Sequence, residues 1–392
     1  MKNIPYGRHF LEEDDIEAVT DVLRHGWLTQ GPKVGEFEAA VAERVGAKYA
    51  VAVSSGTAAL HIACLAGGVS KGETVLTTPN TFVASANCAV YVGARAELCD
   101  IDAASLNIDP AEVAAKAAAL ERVKAIVPVH FAGLPCDMPA IQDIAERHSS
   151  MVIEDASHAL GAVYADGQRV GSCAYSDATV FSFHPVKHIA TCEGGMITTN
   201  DETLFKDLLR LRSHGINKAD DAYLHPEHAY TDGLTNPWYY EMRELGFNYR
   251  VSDVHCALGL SQLRKLDRFI ARRRELVGRY DRLLSEIPHV APAQMGGRDS
   301  SAHHLYVVRI DFSGARTTRA AFMHGLRERG IYCQVHYIPV HYHPYYRANG
   351  HARASFPIAE RYYEEALSLP LYYGLSDGDQ DYVLDQVKRL LA

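Results

Sequence analysis

Lys187 closes a stretch of chain whose residue types could do covalent chemistry. The run Asp177-Ala178-Thr179-Val180-Phe181-Ser182-Phe183-His184-Pro185-Val186-Lys187 starts as an apolar strand and empties into a turn carrying one hydroxyl, Ser182, and one amine. Glu193-Gly194-Gly195 follows, where close backbone packing is expected. An amine partly buried against an apolar wall sheds its proton more readily and becomes a nucleophile. A second apolar strand, Val152-Ile153-Glu154-Asp155, ends in a carboxylate, and an imidazole, His158, follows shortly after. A carboxylate at that place can keep a pyridine nitrogen protonated and make the ring an electron sink. Taken alone, Asp155 is equally a helix cap or half of a buried ion pair, and His158 either orients a ring oxygen or caps.

Ser54-Ser55-Gly56-Thr57-Ala58-Ala59-Leu60 joins another strand to a helix. Free N–H groups and the helix dipole make such a turn an anion site, with Gly56 allowing close approach and Thr57 adding a hydroxyl. By itself it is also a plain N-cap, and no GKS or GKT follows to make it a Walker loop. Phe82, after Pro79-Asn80-Thr81, can stack on a cofactor ring or fill a core. A lysine, an aspartate and a serine at strand ends are the parts a pyridoxal phosphate site needs. That combination decides the class.

These residues need a scaffold. Strand-like runs occur at Tyr49–Val53, Thr74–Thr77, Ala94–Cys99, Ala125–Val129, Met151–Glu154, Ala178–Phe183 and Met196–Thr199. Helix-like stretches alternate with them, as at Ala58–Ala66, Val83–Tyr91, Pro110–Leu120 and Met138–Arg147. The alternation predicts an α/β fold with a mainly parallel sheet covered on both faces. From about His214 to Phe247 the chain is polar, tyrosine-rich and weakly periodic, a long loop of the kind that is usually functional. Val254 to Leu283 supports one or two long helices, and Ala291–Ser301 reads as a linker or surface loop. Strands near Leu305–Ile310 and Ile331–Val335, with helices near Arg319–Arg329 and Ala359–Leu367, form a smaller α+β lobe.

With 392 residues, 47% apolar and 22% charged, the composition is that of an ordinary globular protein with two lobes. A net charge of −9 argues against nucleic acid as the main partner. Eight scattered cysteines without a CxxC read as reduced thiols, so a cytoplasmic location is expected. The start, Met1-Lys2-Asn3-Ile4-Pro5-Tyr6, has no signal-peptide core, and no apolar run is long enough to predict a membrane span. The late histidines His336, His341 and His343 lack the helical pairing with a carboxylate that metal sites favour, and no metal is expected.

Together the motifs resemble the DegT-like sugar-nucleotide aminotransferases, a family of fold-type-I pyridoxal phosphate enzymes. The resemblance runs from Tyr6 to the last helix. Its marks are Gly26-Trp27-Leu28-Thr29-Gln30-Gly31, Ser55 to Leu60, Glu154-Asp155-Ala156-Ser157-His158, the lysine strand, and Phe247-Asn248-Tyr249-Arg250. It implies a large cofactor-binding domain (1–250), a small C-terminal domain (251–392), and a homodimer with the site at the interface. Gly56, Thr57, Ala58 and Ser182 would hold the phosphate, Asp155 the pyridine nitrogen, and His158 the ring hydroxyl side. Phe82 would stack on the ring, and Asn248 would reach the phosphate from the neighbouring subunit. Dehydratase members carry histidine where Lys187 stands; this chain keeps the lysine, with His188 beside it, which implies a transaminase.

Within the family, Ser182 to Ile189, Glu193-Gly194-Gly195 and Gln334-Val335-His336-Tyr337 look most like the pseudaminic acid branch. That implies transfer of the amino group of L-glutamate to C4 of a UDP-linked 4-keto-6-deoxy-N-acetylhexose. The alternatives are a GDP- or dTDP-linked keto sugar and, outside catalysis, a cofactor-binding regulator. Tyr6, Gly26, Trp27, Leu28, Thr29, His184, Asn248, Arg250, His336 and Tyr337 would touch substrate. The 219–240 segment is expanded relative to that branch.

Overall fold

Seven strands lie side by side in the order Tyr49–Val53, Gly195–Thr199, Ala178–Ser182, Met151–Asp155, Ala125–Ile126, Thr74–Thr77, Arg95–Leu98 in the computed structural model, which describes residues 2–217 and 222–391. Only Gly195–Thr199 runs antiparallel to its neighbours. The inner strands are buried on both faces, so they show no regular polar alternation, and their buried threonines Thr77, Thr198 and Thr199 give their hydroxyl protons to nearby carbonyls. The helix Gly56–Ala66 is buried along almost its whole length against the sheet.

Six strands therefore point the same way and deliver their C-terminal ends to one edge. Asp155 and Ser182 end two of them, and Gly56 follows a third. Gly195 starts the antiparallel strand at that same edge, paired with both Val53 and Ser182. A Cβ there would lie 2.5 Å from the Ser55 carbonyl, so only glycine lets the Ser55 turn and the Ser182 strand close up.

Three apolar clusters hold the chain. Two flank the sheet; Phe37, Phe183, Cys256, Leu266, Phe269 and Ile270 belong to one of them. The third joins Leu276, Val277, Tyr280 and Leu284 to the antiparallel sheet Val290–Pro292, Tyr306–Ile310 and Ala366–Leu369. The helix Leu266–Leu284 thus changes core midway along its length. Ile4–Pro5 pairs with Ile331–Tyr332 and ties the N-terminal segment to the C-terminal lobe.

Several expected boundaries move. The strand expected to Val129 ends at Ile126, with one further bridge from Val129 to Asp155. The strand expected to Val335 stops at Tyr332, because Gln334, Val335, His336 and Tyr337 turn to line the cavity described below. The helix expected to run to Leu367 ends at Glu365, since Ala366–Leu369 is captured by strand pairing with Tyr306–Arg309. The expected linker at Ala291 begins as a strand, for the same reason.

The 214–247 stretch holds more structure than a loop. It contains the helix Pro226–Ala229 and a hairpin pairing Tyr230–Thr231 with Leu234–Thr235, turned by Asp232 and Gly233, both at positive φ. Glu241 braces it, accepting from the N–H groups of Leu224 and His225 at 2.7 Å and from the Tyr239 hydroxyl at 3.0 Å. Residues 219–221 of the segment expected to be expanded lie outside the described residues.

Candidate active site

Asp155 is buried at the end of its strand with both carboxylate oxygens engaged. Ser85 Oγ donates to Oδ2 at 2.6 Å and the Ser157 N–H donates to Oδ1 at 3.1 Å. The strand end is anchored from its other face by Glu154, fully buried and bonded to His130 (2.7 Å), Tyr164 (2.5 Å), Ser176 (2.5 Å) and Thr179 (3.0 Å). Burial pushes the Glu154 carboxyl up, but the bonds from His130, Ser176 and Tyr164 outweigh it and hold the group below its usual range.

Lys187 is half-buried and lines the same cavity as Asp155. Burial pulls its amine from 10.5 down to about 8, against the opposing pull of the Asp155 carboxylate. A neutral amine is thereby within reach near physiological pH, as a lysine nucleophile and proton carrier requires.

The anion cradle forms at the start of the helix Gly56–Ala66. Ser55 caps it, accepting from the Ala58 N–H at 3.1 Å, which leaves the N–H groups of Gly56 and Thr57 at its open end. A Cβ at Gly56 would come within 3.0 Å of Ser182 Cβ and 3.6 Å of Ser157 Oγ. Two hydroxyls and a helix terminus thus converge on the space that the missing side chain leaves open.

His158 forms the far wall with aromatic neighbours. Its Nδ1 accepts from the Ala132 N–H at 3.3 Å, and its Nε2 is 3.0 Å from the Tyr337 hydroxyl. Its ring lies 4.3 Å from that of His304 and near-parallel to that of Tyr337. Burial, reinforced by the charge of Lys187, drives the His158 pKa well below 6.5, so the ring is neutral.

One cavity of about 570 Å³ collects these groups. Of the residues expected in the site, Tyr6, Gly56, Thr57, Phe82, Asp155, His158, Ser182, His184, Lys187, His336 and Tyr337 line it. Phe82 keeps 59% of its surface exposed, free to cover a flat ring. Ala58 does not line the cavity; it is buried in the helix and its N–H is spent on Ser55. Nor do Gly26, Trp27, Leu28, Thr29, Asn248 and Arg250. Trp27 and Leu28 are exposed, Thr29 bridges Ser252, and Asn248 bridges Ser213 through the backbone. Arg250 lines a separate hollow with Gln30 and Arg212.

Ser85, Thr81, Ser157 and His304 were not singled out from sequence. Ser85 sits in an alanine-rich helix with no motif around it. Ser157 lay inside the Glu154–His158 motif and could have been noticed there.

A buried carboxylate, a lysine amine of lowered pKa and a helix-terminus cradle, all at the C-terminal edge of a mainly parallel sheet, suit a pyridoxal phosphate transferase of fold type I. The chain belongs to the DegT/DnrJ/EryC1/StrS aminotransferase family, which it matches over residues 10–388. It is 42% identical to the Bacillus subtilis (strain 168) spore coat polysaccharide biosynthesis protein SpsC over 391 residues, covering 99% of this chain and 97% of that protein. The solved structure of Helicobacter pylori PseC, an aminotransferase involved in the biosynthesis of pseudoaminic acid, is similar with a TM-score of 0.89 at 30% identity. The likeness covers 100% of this chain and 99% of that one. The putative sugar aminotransferase Spr1654 from Streptococcus pneumoniae, solved in a PLP form, is similar with a TM-score of 0.86 at 28% identity, over 99% of this chain and 98% of that one. The chain is a pyridoxal phosphate-dependent sugar aminotransferase.

Proposed function

We propose that this enzyme moves the amino group of L-glutamate to C4 of a UDP-linked 4-keto-6-deoxy-N-acetylhexose, as in pseudaminic acid biosynthesis. The observation that carries the reading is the wall facing Lys187. His184, Gln334, Val335, His336 and Tyr337, the residues that resemble that branch, all line the one cavity that holds Lys187 and Asp155. The likeness to PseC over the whole chain supports the same reading.

Bound in the cradle, the cofactor supplies an aldehyde for Lys187 and an electron sink for the carbon that loses its proton. Gly56, Thr57 and Ser182 would hold its phosphate, and Phe82 would cover its ring. Asp155, kept in place by Ser85 and Ser157, would keep the pyridine nitrogen protonated. The freed Lys187 amine takes the proton from the α-carbon of glutamate in the first half-reaction and delivers one to C4 of the sugar in the second. Leu60, Val129, Val186 and Ile338 add apolar surface to the cavity wall, which limits water there.

The cavity also argues for a second subunit. Among the described residues lining it, Lys187 is the one lysine and there is no arginine. Glutamate brings two carboxylates and a nucleotide sugar a diphosphate, which arginines recognise best. The reading is therefore a homodimer in which Asn248 and Arg250, outside the cavity of their own chain, serve that of the other copy. The exposed Trp27 and Leu28 would lie at the same junction. Mixing Lys187→Ala with Arg250→Ala subunits is expected to restore about a quarter of wild-type activity, because half the dimers then carry one intact site of two. No recovery would reject the shared site.

We place the enzyme in the cytoplasm, in keeping with its reduced cysteines; no helix among the described residues is long and apolar enough to cross a membrane. The lobe division at 250/251 is kept as a proposal, with the helix Leu266–Leu284 contributing to cores on both sides.

A panel of UDP-, GDP- and dTDP-linked ketones assayed with L-glutamate tests the substrate. The UDP-linked 4-keto-6-deoxy-N-acetylhexose is expected to give the highest kcat/KM, with 2-oxoglutarate formed in equal amount. Preference for a GDP- or dTDP-linked ketone would overturn the assignment and leave the aminotransferase class intact. The 42% identity to SpsC, a spore coat polysaccharide protein, favours that second reading, another nucleotide-linked keto sugar.

A further inference from the structure

We propose that Arg273 holds a single monatomic anion, chloride by size and abundance, in a small hollow that adjoins Lys187. The starting point is an unbalanced charge. Arg273 lies within the helix Leu266–Leu284 and is 2% exposed. Its Nη1 donates to the carbonyls of His303, His304 and Leu371 at 3.3, 3.2 and 3.0 Å. Its Nε is buried without a partner, and among the described residues no bond engages Nη2 and no carboxylate pairs with the guanidinium. Other cations buried to a similar degree are paired: Arg212 with Glu38 at 2.5 Å, and Lys265 with Asp14 at 2.5 Å and Asp15 at 2.8 Å. Burying an ion without a counter-charge is costly, and a guanidinium does not escape by losing its proton. Burial, opposed by no acid, pulls the Arg273 pKa only to about 10, so the group stays charged at neutral pH.

The hollow beside it measures about 10 Å³, room for one water-sized particle. Arg273, Lys187 and Arg8 line it together with His188, Gln262 and Phe269, and no acid is among its lining residues. His188 spends its Nε2–H on the Ala302 carbonyl at 2.9 Å. Gln262 Nε2 donates to the Phe10 carbonyl at 3.1 Å and to Asp15 at 2.8 Å, and that acid is already paired with Lys265. Three cationic side chains are thus left facing a space with apolar walls, where a low dielectric strengthens their attraction for an anion. Its size admits a halide and excludes phosphate, sulfate and carboxylates. Arg8 is exposed and opens the hollow to solvent. An ion held there compensates Arg273 next to Lys187, whichever keto sugar the enzyme accepts.

Chlorine NMR of the holoenzyme measures the ion in solution, with sodium chloride titrated against sodium gluconate at constant ionic strength. Gluconate is too large for the hollow. The expected result is a saturable excess line width, about one ion per chain, that bromide displaces. Arg273→Met is expected to lose the saturable part, and Arg8→Ala, at the exposed mouth, to weaken it about threefold. Circular dichroism checks that both variants fold. Bromide anomalous scattering from wild-type crystals, at the concentration that saturates the NMR signal, gives an arm that needs no variant. A bromide peak between Arg273 and Lys187 is expected. Line broadening that never saturates, a folded Arg273→Met that keeps the saturable part, or a water in the hollow with no bromide peak would overturn the site. A peak that forms only at higher soaking concentrations means an adventitious ion only, and rejects it too.

Discussion

Ser85 Oγ donates to Asp155 Oδ2 at 2.6 Å, joining the helix Ala84–Tyr91 to the strand end that carries the carboxylate. Thr81 Oγ1 lies 2.7 Å from the same Ser85 oxygen. Since the Ser85 proton is given to Asp155, Thr81 is the donor to Ser85, and the two hydroxyls form a short chain ending on the acid. Hydrogen bonds to a charged group contribute about 1.5–3 kcal/mol. Ser85→Ala is therefore expected to keep its cofactor and lose about tenfold or more in kcat. Steady-state kinetics beside the visible spectrum check this; an unchanged kcat would show that Asp155 needs no such support.

Lys187→Ala is expected to abolish turnover and leave the fold intact, because the half-buried side chain contributes an amine to the cavity and not a packed core. Circular dichroism and a multiple-turnover assay separate the two effects. Substantial repeated turnover in this variant would sink the mechanism.

Gly56→Ala tests the cradle. Gly56 is not at positive φ, so alanine brings no backbone strain, only a methyl group 3.0 Å from Ser182 Cβ and 3.4 Å from its Oγ. The expected result is a normally folded protein with cofactor affinity at least about tenfold weaker, the size of one lost hydrogen bond to an anion. Equilibrium dialysis with pyridoxal phosphate measures it, and wild-type affinity would move the phosphate elsewhere.

Lys187 also makes cofactor-free stability depend on pH. Its folded pKa of about 8 lies below the ordinary 10.5, so the unfolded chain binds more protons between those values. The burial cost is fully present below pH 8 and is relieved as pH rises toward 10.5. Without cofactor, Lys187→Met should melt above wild type at pH 7, with the gap closing by pH 10. A gap that is constant with pH would mean that the amine is not desolvated.

At the acid end the histidines act. Burial is the main cause that lowers His303 to about 4 and His336 to about 3 from 6.5. As pH falls below 6.5 the unfolded chain takes up protons first, so stability declines from there down through the folded pKa values. Melting temperature is expected to fall between pH 7 and pH 5, and less steeply in His303→Phe. Equal slopes in the two proteins would remove His303 from the account.

The sheet was legible in the chain itself. Thr74–Thr77 and Ala178–Ser182 lie between neighbours with both faces covered, and such a strand admits apolar residues and small hydroxyls that can bond within the sheet, so its composition records its burial. Lys187 and Asp155 were legible for a related reason: a polar group ending an apolar run stands out from everything before it. The end of the helix at Glu365 was not, because Ala366–Leu369 suits a helix or a strand, and only its pairing with Tyr306–Arg309 chooses.

Residue types and their order determined the class of this protein, since a parallel sheet brings its strand ends, and whatever they carry, to one edge. Tertiary structure alone decided the partners. Ser85 meets Asp155, Tyr337 meets His158 and His304 packs on His158 through crossovers and a second lobe that bring distant segments together. Burial follows from the character of each residue and its near neighbours; a hydrogen-bond partner depends on where another part of the chain arrives, and no local spacing encodes that.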